Sequence, residues 1–141
     1  MGFDETLDIS DLLKCADNFF MTLQKASAIE HGNDSNFSYD FARSAMIHVF
    51  GITIEQSWKM MQRWIKMNAD NKIHEKPKRE LFRTAHQSGL ISNPKEWWGF
   101  YEGRNKTSHA YHEAIAEDIY ALAKKFDWYL KDFIERLEAR V

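Results

Sequence analysis

The chain has 141 residues, 44% hydrophobic and 14% aromatic, with a formal net charge of −2. That length suffices for one domain burying roughly 70% of the unfolded surface, and the near-neutral balance excludes a general nucleic-acid binder, which is usually basic overall. Two prolines and six glycines favour long helices over many strands, and a single cysteine, Cys15, rules out an internal disulfide and fits a reducing compartment.

No apolar run approaches the roughly 20 residues of a membrane span, and the acidic start Met1–Glu5 does not read as a signal peptide. Residues 1–141 are therefore expected to form a single cytoplasmic domain. Without a secretion signal, the Asn-x-Ser/Thr triplets at Asn33, Asn36 and Asn105 carry no weight.

The first helix is predicted over about Asp8 to His31, with Leu12, Leu13, Ala16, Phe19, Phe20 and Leu23 on one face. Cys15 belongs to it as a small, buried apolar residue rather than a nucleophile. The cluster from His31 to Asn36 reads as a turn, with Gly32 at the C-cap. A second helix follows from about Tyr39 to Asn68. Its apolar positions, Phe41 through Ile65, cover more than half the circumference, which places it in the middle of a bundle. Met46, Met60, Met61 and Met67 are expected to fill gaps in the core, and Gly51 to permit close helix approach.

Ala69 to Pro77 reads as a polar linker, and a short third helix is expected over Lys78 to Gln87. The fourth has Asn93 at the N-cap, Pro94 at the first helical position and Glu96 as the second half of a capping box. It is predicted to continue to about His109. The fifth covers about Glu113 to Arg140, with Ile115, Ile119, Leu122, Phe126, Tyr129, Phe133 and Leu137 as its stripe. The expected fold is all-α, an up-and-down bundle of about five helices.

Charge is unevenly spread along these elements. Residues 41–110 carry twelve Lys/Arg against six Asp/Glu, including Lys72, Lys76, Lys78, Arg79 and Arg83, so a local anion site is plausible there. At the end of that basic middle lies the most chemically dense stretch, Arg104-Asn105-Lys106-Thr107-Ser108-His109-Ala110-Tyr111. An arginine can hold an anion while a histidine moves protons, the pairing that phosphate chemistry needs. On a continuous helix Arg104, Ser108 and Tyr111 would lie within roughly 60° of one another, with Asn105, His109 and His112 in an adjacent stripe. His109 then reaches a phosphate held by Arg104 only if substrate straddles both stripes or the helix unwinds. The bland alternative is an ion-paired Arg104 beside satisfied bundle residues. Zinc at His109 and His112 is a weak reading, because no third ligand is evident, so neither metal nor cofactor is assigned.

Arg104-Asn105-x-x-x-His109-x-Tyr111 resembles the Arg-x4-His-x-Tyr motif of the HEPN superfamily. More narrowly, the chain is similar to the nucleotidyltransferase substrate-binding branch. Phe50 to Lys59, Gly89-Leu90-Ile91, Trp97 and Ala116 to Tyr120 follow that branch in order and spacing, over roughly residues 40–120. Relatives usually carry a Glu where this chain has Gly51, which leaves Glu55 as the remaining carboxylate of the cleft. They commonly have an aliphatic residue at Lys106, and Asp or Asn at His112.

The resemblance implies a bundle that dimerises through its motif helices and works with a small nucleotidyltransferase. It implies a metal-independent endoribonuclease toxin with Arg104 on the phosphate, His109 as proton shuttle, and Asn105 and Glu55 orienting them. Lys106, Ser108 and His112 would add contacts to RNA or nucleotide, and AMP transfer to Tyr111 would silence the toxin. The alternative it leaves open is a non-catalytic subunit that binds nucleotide or substrate for the transferase.

Overall fold

The structure, a computed structural model, describes residues 6–30 and 36–141. Its helices are α1 (Ser10–Glu30), α2 (Asn36–Asn68), α3 (Lys78–Gln87), α4 (Pro94–Asn105) and α5 (Glu113–Glu138), with short 3-10 turns at Ile73–Glu75 and Thr107–His109. The bundle is all-α as expected, with no strand among the described residues. The Gly32 C-cap expected after α1 lies outside them.

The helix starts follow local chemistry. Asp8 Oδ1 accepts a 2.9 Å hydrogen bond from the Ser10 amide, so α1 opens two residues after the predicted start. That bond favours the ionised carboxylate and draws the Asp8 pKa down. Asn93 caps α4 as predicted, accepting from the Lys95 amide at 3.1 Å and the Glu96 amide at 3.4 Å. The expected return bond from Glu96 is replaced by a tertiary contact: its carboxylate pairs with Lys125 of α5 at 2.6 Å.

The core is aromatic and centred on Phe126 of α5. Its ring meets Phe19, Phe50, Trp97 and Phe100 edge-on, at centroid separations of 5.4, 5.6, 5.3 and 5.1 Å. Such pairs contribute about 0.5–1.5 kcal/mol each beyond their area burial. α1, α2, α4 and α5 are therefore joined through one residue. Met46, Met60 and Met61 are buried as expected, but Met67 is exposed. Phe41, predicted on the apolar face of α2, is 69% exposed. Cys15 is only partly buried; burial, aided by Asp11, raises its thiol pKa. Thr53 and Ser57, fully buried in α2, satisfy their hydroxyls by donating to the carbonyls of Val49 and Thr53 at 2.7 Å.

Two glycines divide the packing roles expected of one. A Cβ on Gly51 would lie 3.8 Å from Thr107 Cγ2 and 3.9 Å from Arg104 Cγ, which is ordinary contact. Close approach therefore does not require Gly51. At Gly103 a Cβ would sit 2.6 Å from Leu122 Cδ1, so this is the glycine that brings α4 onto α5.

Candidate functional site

On α2, Ser44, His48, Gly51, Ile52 and Glu55 recur at helical spacing and form one wall of a cleft of about 800 Å³. Arg104 at the end of α4, Thr107 and Ser108 in the following turn, and Ala110 and Tyr111 form the opposite side. A cleft of this size is within the usual range for small-molecule and cofactor sites.

α4 does not reach His109. It ends at Asn105, and just past that end the Thr107 hydroxyl donates to the Arg104 carbonyl at 2.8 Å. In a continuing α-helix that carbonyl would accept from the amide of Ser108. Tighter turns follow, with the amides of His109, Ala110 and His112 donating to Lys106, Thr107 and His109 at 2.9, 3.2 and 3.1 Å. The angular argument for a continuous helix therefore fails after Asn105. Its grouping nevertheless holds: Arg104, Ser108 and Tyr111 line the cleft, while Asn105, Lys106, His109 and His112 are exposed and outside its lining. Within one chain Arg104 lines the cleft and His109 is exposed outside its lining.

Arg104 is half-buried, its Nε 3.0 Å from Glu55 Oε2. The approach is off the N–H direction, so the contact is an ion pair rather than a linear hydrogen bond. Glu55 also pairs with Lys59 at 3.4 Å. Tyr111 is 77% exposed at the cleft. Its ring lies 4.3 Å from that of His112 and 6.4 Å from that of His109. Among the described residues no three His, Cys, Asp or Glu side chains converge as a metal site, so His109 and His112 have no third ligand.

Sequence reasoning missed Arg43. Its side chain is 7% exposed and lines one end of the cleft. It grips Glu113 through two hydrogen bonds of 2.6 and 2.9 Å and also bonds Glu117. Tyr39 donates to Glu117 at 2.8 Å. Because Glu113 opens α5, this network anchors to α2 the point where the 107–112 segment ends. Arg43 draws the Glu113 carboxyl below its ordinary range. Burial, reinforced by Glu117, pushes the Tyr39 phenol up to about 12. The available signal was an arginine among the apolar positions of α2. His48 and Gln56, also in the lining, gave none.

Residues 12–139 match the family described as nucleotidyltransferase substrate binding protein like. The chain belongs to this family. Among its relatives is a Haemophilus influenzae protein named Probable ribonuclease HepT, 31% identical over 96 residues, which span 67% of this chain and 66% of the relative. A solved Haemophilus influenzae structure, described as the fold of a substrate binding domain of a nucleotidyltransferase, superposes with a TM-score of 0.80. It is 26% identical, over 90% of this chain and 98% of that one. The expected HEPN-like nucleotidyltransferase substrate-binding family and its all-helical fold are thus both met. No described helix is long and apolar enough to cross a membrane.

Proposed function

We propose that this chain is a one-domain, cytoplasmic endoribonuclease toxin that works as a homodimer and is silenced by a partner nucleotidyltransferase. One observation carries the reading: Arg104 lines the cleft while His109, five residues on, is exposed outside its lining. Ile52, 43% exposed, and Tyr111, 77% exposed, also line that cleft, an apolar rim suited to burial against a second copy. In such a dimer the exposed His109 of one copy meets the phosphate held by Arg104 of the other.

The chemistry is transesterification by the RNA itself. One His109 takes the proton of the 2′-hydroxyl, O2′ bonds to phosphorus, and the bond to the 5′-oxygen breaks. The second His109 protonates that leaving oxygen, producing a cyclic phosphate and a 5′-hydroxyl. Arg104 stabilises the charge on the phosphorane, with Glu55 and Asn105 orienting these groups and Lys106, Ser108 and His112 contacting the RNA. Silencing follows if the Tyr111 oxygen attacks the α-phosphorus of ATP and pyrophosphate leaves, putting a nucleotide at the cleft.

Purified protein is expected to cut single-stranded RNA in EDTA and to leave cyclic phosphate ends. No cleavage with or without added metal would overturn this reading. It would favour the alternative of a nucleotide-binding subunit, which the size of the cleft and the description of the solved relative both support.

A further inference from the structure

A second chemically distinctive surface begins one helical turn from the cleft, where α2, α3 and α4 meet. Lys59, four residues after Glu55 and paired with it at 3.4 Å, also lies 5.8 Å from the ring centre of Trp58. Lys78, which opens α3, covers the same indole at 4.1 Å. Its neighbour Arg79 holds its guanidinium 4.6 Å over the ring of Trp98, and Trp98 stacks with Tyr101 at 5.4 Å and 29°. Arg79, Phe82, Arg83, Pro94, Lys95 and Trp98 enclose a shallow recess of about 330 Å³ at this stack. Contacts therefore run unbroken from Arg104 through Glu55, Lys59, Trp58 and Lys78; the adjacent Arg79 leads on to Trp98 and Tyr101.

The charge on this surface is available. Lys78, Arg79 and Lys95 form no ion pair among the described residues; Arg83 is paired with Glu80 and Lys59 with Glu55. Arg79 and Lys95 are exposed, whereas Trp58, Trp98 and Tyr101 are half-buried and packed against the core. Exposed cations above fixed aromatic rings suit a chain of alternating phosphates and flat bases. The phosphates take the cations, and the bases stack on the indole or on the outer plane of the guanidinium. A protein partner could use the tryptophans and arginines, but it would leave Lys59, Lys78 and Lys95 without the role a phosphate chain gives them, since lysines are depleted at protein interfaces.

We infer that the Trp58/Lys78–Arg79/Trp98 surface binds single-stranded RNA and holds the strand that enters the Arg104 cleft. As a role in feeding substrate, this rests on the ribonuclease reading; as a binding site, it stands on its own geometry. The probe is a fluorescein-labelled 2′-O-methyl oligouridylate of about twelve nucleotides, inside the usual site-size range. It binds like RNA but lacks the hydroxyl that cleavage needs.

Titrated with the full chain over a range of salt, it should bind. The exposed double variant Arg79→Ala/Lys95→Ala should weaken binding at least about tenfold and lower the slope of log K against log salt by about 1.4, two phosphate contacts of about 0.7 each. Trp98→Leu should weaken binding about 5- to 150-fold at an unchanged slope. Lys25→Ala on α1 is the control and should change neither. If the patch variants bind like wild type, or if wild type does not bind, the inference is overturned. It is equally overturned if the variants keep RNA but lose the nucleotidyltransferase, since the surface would then be a protein interface. Binding that depends on the patch without any cleavage of natural RNA keeps the surface and removes the ribonuclease reading. Cleavage that survives in the patch variants with unchanged binding does the reverse.

Discussion

The Thr107 hydroxyl donates a 2.8 Å hydrogen bond to the Arg104 carbonyl at the end of α4. The bond ties the turn at Thr107, which lines the cleft, to the end of the helix that carries Arg104. Thr107→Val keeps the shape and removes the donor. It should cost about 0.5–1.5 kcal/mol in stability, while RNA cleavage falls much more steeply as Arg104 loses its fixed position. Urea denaturation and a cleavage time course on the same preparation check the two effects. Unchanged cleavage would detach this turn from the activity.

The need for both His109 side chains of a dimer leads to a mixing experiment. Arg104→Ala and His109→Ala should each be inactive alone, with losses of at least about 100-fold. When His109→Ala is unfolded and refolded with an equal amount of wild type, half the dimers are mixed, and each mixed dimer has a single His109. Because one His109 takes a proton and the other gives one, activity should fall to about one quarter of that of the same total amount of wild type. A fall only to about one half, with mixed dimers demonstrated by mass, would rule out a site shared between copies.

Gly51 and Gly103 should respond oppositely to alanine. Gly51→Ala meets only ordinary contacts, at 3.8 and 3.9 Å. It should stabilise the chain by about 0.5–1 kcal/mol, because alanine loses less backbone entropy in a helix. Gly103→Ala puts a methyl 2.6 Å from Leu122 Cδ1 and should destabilise by about 1–3 kcal/mol. Thermal melts of both variants decide. Equal signs would mean that the approach of α4 to α5 is not as close as described.

The Tyr39 phenol, raised from 10.0 to about 12 by burial and by Glu117, ties stability to alkaline pH. A phenol is neutral below its pKa, and here the folded pKa is the higher one. Its contribution is thus fully present below about pH 10 and is lost as pH rises through about 12. Tyr39→Phe should flatten the fall in urea midpoint between about pH 10 and 12. The lowered Glu113 carboxyl acts at the other end: its contribution is present above 4.5 and fades as pH falls below it. A Tyr39→Phe profile parallel to wild type would contradict the shift.

Local chemistry along the chain determined the helices and much of the core. The apolar spacing in α5 predicted Ile119, Phe126, Phe133 and Leu137 as buried, and they are. Asn93 followed by Pro94 predicted the start of α4 to the residue, because a cap depends only on its own neighbours. The end of α4 at Asn105 was not legible, and an angular argument holds only while the helix continues. Tertiary structure turned Glu96 away from its own helix toward Lys125 and buried Arg43 against Glu113 and Glu117, seventy or more residues away in sequence. An ionised side chain takes whichever partner the packing brings within reach, and nothing in the local spacing around residue 43 or 96 encodes a partner that distant. The grouping of Arg104, Ser108 and Tyr111 apart from Asn105, His109 and His112 was legible in the spacing, but that the first set lines a cleft against α2 was decided only by the packing of the helices.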